Sequence, residues 1–168
     1  PEIFVEAARR VHRADETVRF IVHGDGEHQG WVNDLIDRGG LAGVVERRTS
    51  EVPVSETMTE ADLLAVTSAN EGLTLTTLEA LAFGVPVIST DVGAQSDIVP
   101  AEGLVPAGPH RAVRETADLI LALSRDPAQR RALWEKEIQM EHSLLSHTPA
   151  SSWFEGMVKE WSMSQPSS

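Results

Sequence analysis

Residues 61–89 read ADLLAVTSANEGLTLTTLEALAFGVPVIS, and the order of residue types in that stretch decides the fold. Residues 61–66 form an apolar run of the length of a buried strand. Residues 75–83 carry apolar side chains at helical spacing; Gly84 offers a C-terminal cap and Pro86 prevents continuation. A second β-branched run follows at 85–89. Strand, helix and strand in that order require a crossover connection, which makes the two strands parallel. Both runs are short and continuously apolar, as expected where helices cover both faces of a sheet.

The same alternation extends outward. Ile3, Phe4, Ala7, Ala8 and Val11 form one apolar stripe, predicting a helix over 2–14. Residues 18–22 (VRFIV) predict a strand, ended by HGDG at 23–26, where Gly24 and Gly26 permit a tight turn. Trp31, Val32, Leu35 and Ile36 predict a helix over 29–38, stopped by Gly39 and Gly40. Val44 and Val45 look like a short strand, and an irregular stretch follows. Downstream come a short strand at 104–105 and long helices over 112–124 and 128–145, divided at Asp126-Pro127. A last helix holds Trp153, Met157 and Trp161 at i, i+4 and i+8, and the Ser-rich tail from 162 is expected to fray. The sum is one domain with a doubly wound, Rossmann-like parallel sheet in the α/β class.

Composition narrows the function classes. The 168 residues suffice for one core and are too few for two full-sized domains. No apolar run reaches the roughly 20 residues a bilayer span needs, and no signal-peptide pattern opens the chain. There is no cysteine, which excludes disulfides and thiolate metal sites and fits a reducing compartment, so a cytoplasmic location is expected. Fourteen basic residues against twenty-six acidic ones give a net charge of −12, which argues against a nucleic-acid partner.

In open α/β sheets, ligands bind outside the carboxyl ends of the strands. The turn from Ser68 to Glu79 joins a strand to a helix. The free backbone N–H groups of residues 74–76 make an anion site there without any side chain. Gly72 allows close approach, Glu71 can accept from nearby hydroxyls, and Glu79, about a turn into the helix, can accept two hydroxyls at once, as on a ribose. The plain alternative carries equal weight: Thr74 is an ordinary N-cap and both glutamates are solvated. No two of the six histidines have the i, i+4 spacing of helical zinc ligands, so no metal site is expected, and His23 reads as turn structure before ligand contact. No G-x-S-x-G occurs, and HGDG lacks the third spaced glycine of the dinucleotide fingerprint.

The string EGLTLTTLEALAFGVPVISTDVG, with Glu71 and Glu79 eight positions apart, resembles the signature of family 4 retaining glycosyltransferases of the two-domain GT-B fold. FIVHGDG, ADLLAVTS, VGAQSDIV, GLVPAG and DPAQRRAL agree with that family in order and spacing, and the resemblance runs from about Pro1 to Trp161. It implies the C-terminal, nucleotide-sugar-binding half of a hexosyltransferase that moves a sugar from a nucleotide diphosphate donor to an acceptor hydroxyl with retention, without metal or other cofactor. Residues 1–161 would be the donor domain and 162–168 a flexible tail. Glu71 would be the catalytic-site carboxylate holding donor sugar hydroxyls. Leu73 and Thr74 would offer backbone N–H groups to the sugar, and Leu75 and Thr76 to the diphosphate. Glu79 would bind the ribose, and Gly24, Gly26 and Gly72 would shape the cleft. Arg48 would border the base, although ERR at 46–48 departs from the more apolar, glycine-containing pattern, and Thr74 stands where glycine is frequent.

The resemblance also implies missing parts. Such domains carry an Arg and a Lys just ahead of the first helix, and a central strand between the strands at 18–22 and 61–66. Between Thr49 and His110 there is no Lys or Arg, against nine Asp and Glu. A sheet without its first, central strand is therefore expected, as is a fragment inactive by itself, lacking an N-terminal acceptor domain through which the whole protein would touch a membrane. The Trp153, Met157 and Trp161 stripe either packs on this domain or supports a dimer. Competing functions are a sugar-nucleotide epimerase of the same architecture, which would want further acid–base groups in the cleft, and a non-catalytic Rossmann-like binding module, which leaves the glutamate motif unexplained.

Overall fold

A computed structural model of the chain describes residues 1–72 and 74–146. The elements run α1 (Glu2–Ala14), β1 (Phe20–His23), α2 (Gln29–Arg38), β2 (Val45–Arg48), α3 (Val54–Glu60), β3 (Leu64–Val66), α4 (Leu75–Ala82), β4 (Val87–Thr90), β5 (Leu104–Val105), α5 (Pro109–Arg125) and α6 (Pro127–Leu145), with single 3₁₀ turns at Gln95–Asp97 and Ala101–Gly103. The stripe of Trp153, Met157 and Trp161 lies outside the described residues. No helix among those described is long and apolar enough to cross a membrane.

All strand pairs are parallel, and they form two sheets. β1 pairs with β2, Phe20 opposite Val45, and β3, β4 and β5 form the second sheet in that order. β1 and β3 do not pair, so the expected gap at the centre of the sheet is present. Its consequence is visible in burial. All four residues of β4 are buried, whereas three of four in β1 and two of three in β3 are only partly so.

Helices cover both faces. Successive strand residues go to opposite cores, as the pleat requires. Ile88 of β4 and Ala65 of β3 pack with α1, α2 and α5, while Val87 and Val66 pack with α3, α4 and α6. The first core is built on close helix contact. Ala7, Ala8, Ala112 and Ala117 are almost fully buried, and their small side chains let α1 and α5 approach. Phe4 meets Phe20 edge to face at 6.1 Å between ring centroids. Asp126 caps α6, its carboxylate accepting from the Gln129 N–H at 2.9 Å, with Pro127 at the first helical position. Trp134 Nε1 donates to the Leu81 carbonyl at 2.9 Å and so satisfies the C-terminal turn of α4.

Two local expectations needed correction. The stretch after Val45 is not irregular: β2 continues through Glu46, Arg47 and Arg48, and α3 follows. β2 lies at the outer edge of its sheet, where Glu46 is exposed, while Arg47 and Arg48 are half-buried, the first on carbonyls and the second on carboxylates. The strand expected at 61–66 begins only at Leu64, because Ala61 is the C-cap of α3.

One buried charge site stands apart from the cleft. Glu137 of α6 is fully buried, and its carboxyl oxygens accept from the Val87 N–H at 3.1 and 3.2 Å. Burial raises its pKa to about 8; the Val87 N–H opposes that shift and Glu102 adds to it. The folded state thus holds a proton that the unfolded chain releases near its ordinary value of 4.5. This contribution is full below the unfolded value and is lost as pH rises through about 8. Urea unfolding at pH 5 and pH 8 should show stability falling with pH, and Glu137→Gln, which keeps an acceptor for Val87, should flatten that slope by up to roughly 1 kcal/mol per pH unit.

Candidate functional site

A cleft of about 1290 Å³ occupies the gap between β1 and β3. Strand residues wall both sides, Phe4 and Ile120 come from the α1–α5 layer, and Val54 and Met58 from α3. Its lower end reaches Thr17, Asp62 and Arg130; its upper end opens at the carboxyl ends of the strands among His23, Gly24, Ser68, Glu71, Thr74, Thr76 and Glu79.

The upper rim is fixed by hydrogen bonds from β4 and the loop after it. Thr90, fully buried, donates its hydroxyl to the Ser68 carbonyl at 2.6 Å. The Ser68 hydroxyl donates to Glu71 Oε1, also at 2.6 Å. The Ala94 N–H donates to the Gly72 carbonyl at 3.4 Å. Gln95 is fully buried; its amide N–H donates to the Thr74 hydroxyl and its amide oxygen accepts from the Thr77 hydroxyl at 3.3 Å. Gly93, at φ +58°, passes so close that a Cβ would lie 1.9 Å from the Glu71 carbonyl oxygen.

Thr74 occupies the N-cap position of α4, yet its hydroxyl does not cap the helix. The Thr77 N–H reaches the Thr74 carbonyl at 3.0 Å, and among the described residues the amides of Leu75 and Thr76 have no acceptor. The helix therefore begins with donors open toward the cleft, carrying the partial positive charge of its dipole.

On the opposite rim, Gly24 adopts φ +113° and donates its N–H to the Arg48 carbonyl at 2.9 Å. His23 Nδ1 lies 2.7 Å from the Thr57 hydroxyl, tying β1 to α3. Asp25 accepts from the Ser50 N–H at 2.6 Å, and its hydrogen bonds from Ser50 hold that carboxyl below the usual range.

The sequence-selected residues divide accordingly. Glu71, Thr74, Thr76, Glu79 and Gly24 share the cleft; Gly26, Gly72, Leu75 and Arg48 do not line it, and Leu73 lies outside the described residues. Gly72 still shapes the rim through its carbonyl, and the Leu75 side chain is 72% exposed. Arg48 is committed elsewhere: it pairs with Glu46 at 2.6 Å and Glu60 at 2.7 Å, donates to Thr57 at 3.1 Å, and these carboxylates raise its pKa further. Arg47 donates to the carbonyls of Val22 and Gly24. Thr90, Gly93 and Gln95 were not singled out from sequence. The only available signal was their position directly after a strand, where ligand-side loops begin.

With this geometry in view, comparison with known proteins is decisive on the family. Residues 1–126 match the family described as "Glycosyl transferases group 1". The chain belongs to that family. The chain is 32% identical over 142 residues to the D-inositol 3-phosphate glycosyltransferase of Segniliparus rotundus, covering 79% of the chain and 32% of the relative. It is 30% identical over 176 residues to the enzyme of the same name from Nocardia farcinica, covering 96% of the chain and 37% of the relative. The chain thus spans about a third of the length of these relatives. In fold it is similar to the C-terminal domain of the group 1 glycosyltransferase LpcC from Francisella tularensis, with a TM-score of 0.73 at 20% identity over 88% of the chain and 80% of that domain. It is also similar to the pneumococcal O-GlcNAc transferase GtfA, solved with UDP and GlcNAc, with a TM-score of 0.72 at 20% identity over 84% of the chain and 29% of that protein.

The close approach at Gly93 gives a direct test of how the rim is held. Gly93→Ala adds a Cβ in a left-handed conformation against the backbone of Glu71. It should cost about 2 kcal/mol or more in chemical denaturation. Ala94→Gly, which keeps the backbone N–H donated to Gly72, should cost less than half as much.

Proposed function

We propose that the chain is the donor-binding part of a glycosyltransferase that moves a sugar from a nucleotide diphosphate sugar to an acceptor hydroxyl with retention of configuration. The observation that carries this is the joint placement of the Ser68-held Glu71, the open first turn of α4 and Glu79 on one cleft. Glu71 accepts from the donor sugar's hydroxyls and Glu79 from the ribose pair. The N–H of Thr74 is offered to the sugar and those of Leu75 and Thr76 to the diphosphate; the same role for Leu73 falls outside the described residues. Gly24, with Gly26 behind it, keeps the facing rim low. Residues 1–161 are assigned to the donor domain, of which 147–161, like 162–168, lie outside the described residues; the protein works in the cytoplasm without a metal.

On the same proposal the cleft is unfinished. An upstream strand fills the gap between β1 and β3, and cations carried with it neutralise the leaving diphosphate. A separate acceptor domain closes over the donor, because transfer requires both substrates held in line and water excluded. The chain alone transfers no sugar. Similarity to GtfA, which was solved with UDP, supports a uridine nucleotide as the first donor to try. An epimerase would need acid and base side chains facing one another across the sugar; the cleft rim offers His23 and the two glutamates, with His23 tied to Thr57.

Calorimetric titration of uridine, guanosine and adenosine diphosphates into the full-length protein tests the proposal. One nucleotide should bind, more tightly than to residues 1–168 alone. Glu79→Ala should weaken it about tenfold, as expected for loss of hydrogen bonds to a charged acceptor. Failure of all three to bind would leave a non-catalytic binding module.

A further inference from the structure

We infer that Gln95 is a positioning residue that keeps the Thr74 hydroxyl from capping α4, and so keeps the first-turn amides open to the donor's anionic group. The inference deepens the donor-site proposal and rests on it for the identity of the ligand.

A threonine at the N-cap position ordinarily turns its hydroxyl inward, where the oxygen accepts from the N–H of the second or third helical residue. Those would be Thr76 and Thr77; the Thr77 N–H already donates to the Thr74 carbonyl at 3.0 Å, so Thr76 is the amide a cap would take. Thr74 has the extended backbone of a normal cap, φ −76° and ψ 120°, and yet makes no side-chain cap. The reason lies across the crossover. Gln95 is fully buried and fixed at both ends of its amide: the nitrogen donates to the Thr74 hydroxyl and the oxygen accepts from the Thr77 hydroxyl. Thr77 is itself fully buried and cannot turn away to water. Gln95 therefore holds the cap hydroxyl off the helix axis. A ligand anion then meets free amides rather than competing with an oxygen of the protein's own.

The expected cost of losing this device is unusual. Removing the Gln95 amide frees Thr74 to cap, which strengthens the start of α4 while it closes the anion site. Gln95→Met keeps the length and volume of the side chain and removes both hydrogen bonds. In the full-length protein, amide hydrogen exchange at Thr76 should then slow several-fold, and uridine diphosphate, or whichever nucleoside diphosphate binds the unaltered protein, should bind about fivefold more weakly, the ratio that one cap interaction corresponds to. In a Thr74→Ala background there is no hydroxyl to release, and the same Gln95→Met change should leave both exchange and affinity where Thr74→Ala alone put them.

The two readouts separate the possible failures. If the unaltered protein binds no nucleoside diphosphate, the donor-site proposal fails, and the exchange measurement still decides the role of Gln95. If exchange at Thr76 is unchanged or faster in Gln95→Met, Gln95 does not hold the cap away. If Gln95→Met weakens binding equally with and without the Thr74 hydroxyl, Gln95 serves only as packing. Either of the last two results overturns the inference.

Discussion

The two halves of the sheet exchange no backbone hydrogen bonds, so the helix layer is what keeps the molecule in one piece. A parallel sheet has no hairpins to join its strands, and its covalent crossovers pass over the faces. Here the burden falls on α1 against α5. α1 precedes β1, α5 follows β5, and the contact between the two helices joins the first half-sheet to the second. The core beneath is continuous across the gap: Phe20, Val45 and Ile88 belong to one cluster although their strands lie in different sheets. A cleft between two strand edges can therefore exist without dividing the domain. It also means that whatever enters the cleft meets apolar side chains along its length and backbone groups on both walls.

Rigidity at the upper rim has a separate source. The turn from Ser68 to Thr74 is long and polar, and such a turn has little packing of its own. It is held from outside by the segment 90–97, through a hydroxyl from Thr90, a backbone donor from Ala94, an amide from Gln95 and a glycine that lets the two backbones touch. Four contacts within eight residues fix the turn at intervals close to one residue in two. That spacing leaves Glu71 a single well-supported position and leaves the helix amides unobstructed. A site that must bind the same group repeatedly profits from such pre-positioning, because less ordering remains to be done when the ligand arrives.

How much of this was legible in the sequence follows from the range of the interactions. α4 was readable because Gly84 and Pro86 punctuate it and its apolar residues are regularly spaced. α1 and α2 were readable for the same reasons, and both have the expected bounds. α3 was not: VSETMTE offers few apolar positions, and its N-cap is Pro53, which has no side-chain acceptor. β2 runs past Val45, which sequence does not predict, because ERR carries no strand signal and an edge strand needs none on its solvent side. The glutamates of the site were visible as a motif, but the hold on them was not. Thr74 and Gln95 are 21 residues apart, and Thr77 and Gln95 are 18 apart, so their meeting depends on where the crossover delivers β4. Local pattern carries no information about that.

Charge is where the chain's own residues fall short of the chemistry proposed for it. Of the cations near the cleft, Arg47, Arg48 and Arg130 are already engaged, and Arg19 lies just ahead of β1, at the end of that strand away from the rim. Arg48 is held by two carboxylates, Arg47 by two strand-end carbonyls, and Arg130, at the far end of the cleft, by Asp62 and the carbonyls of Leu123 and Ser124. Among the described residues, Glu71 and Glu79 have no ion-pair partner at the rim. The start of a helix contributes the equivalent of about half a charge, worth about 0.3 to 1 kcal/mol to an anion and up to roughly 2 in good geometry. Two carboxylates a few ångströms from a diphosphate oppose it by a comparable or larger amount even in a well-solvated cleft, since like charges 4 Å apart repel by about 1 kcal/mol in water and by about 4 at the effective dielectric of a protein surface. The open amides can orient a diphosphate but cannot by themselves hold it against those carboxylates. On the proposed function, positive charge must therefore come from outside the described residues, and the cleft between β1 and β3, which Thr74, Thr76 and Glu79 line, has room to admit it.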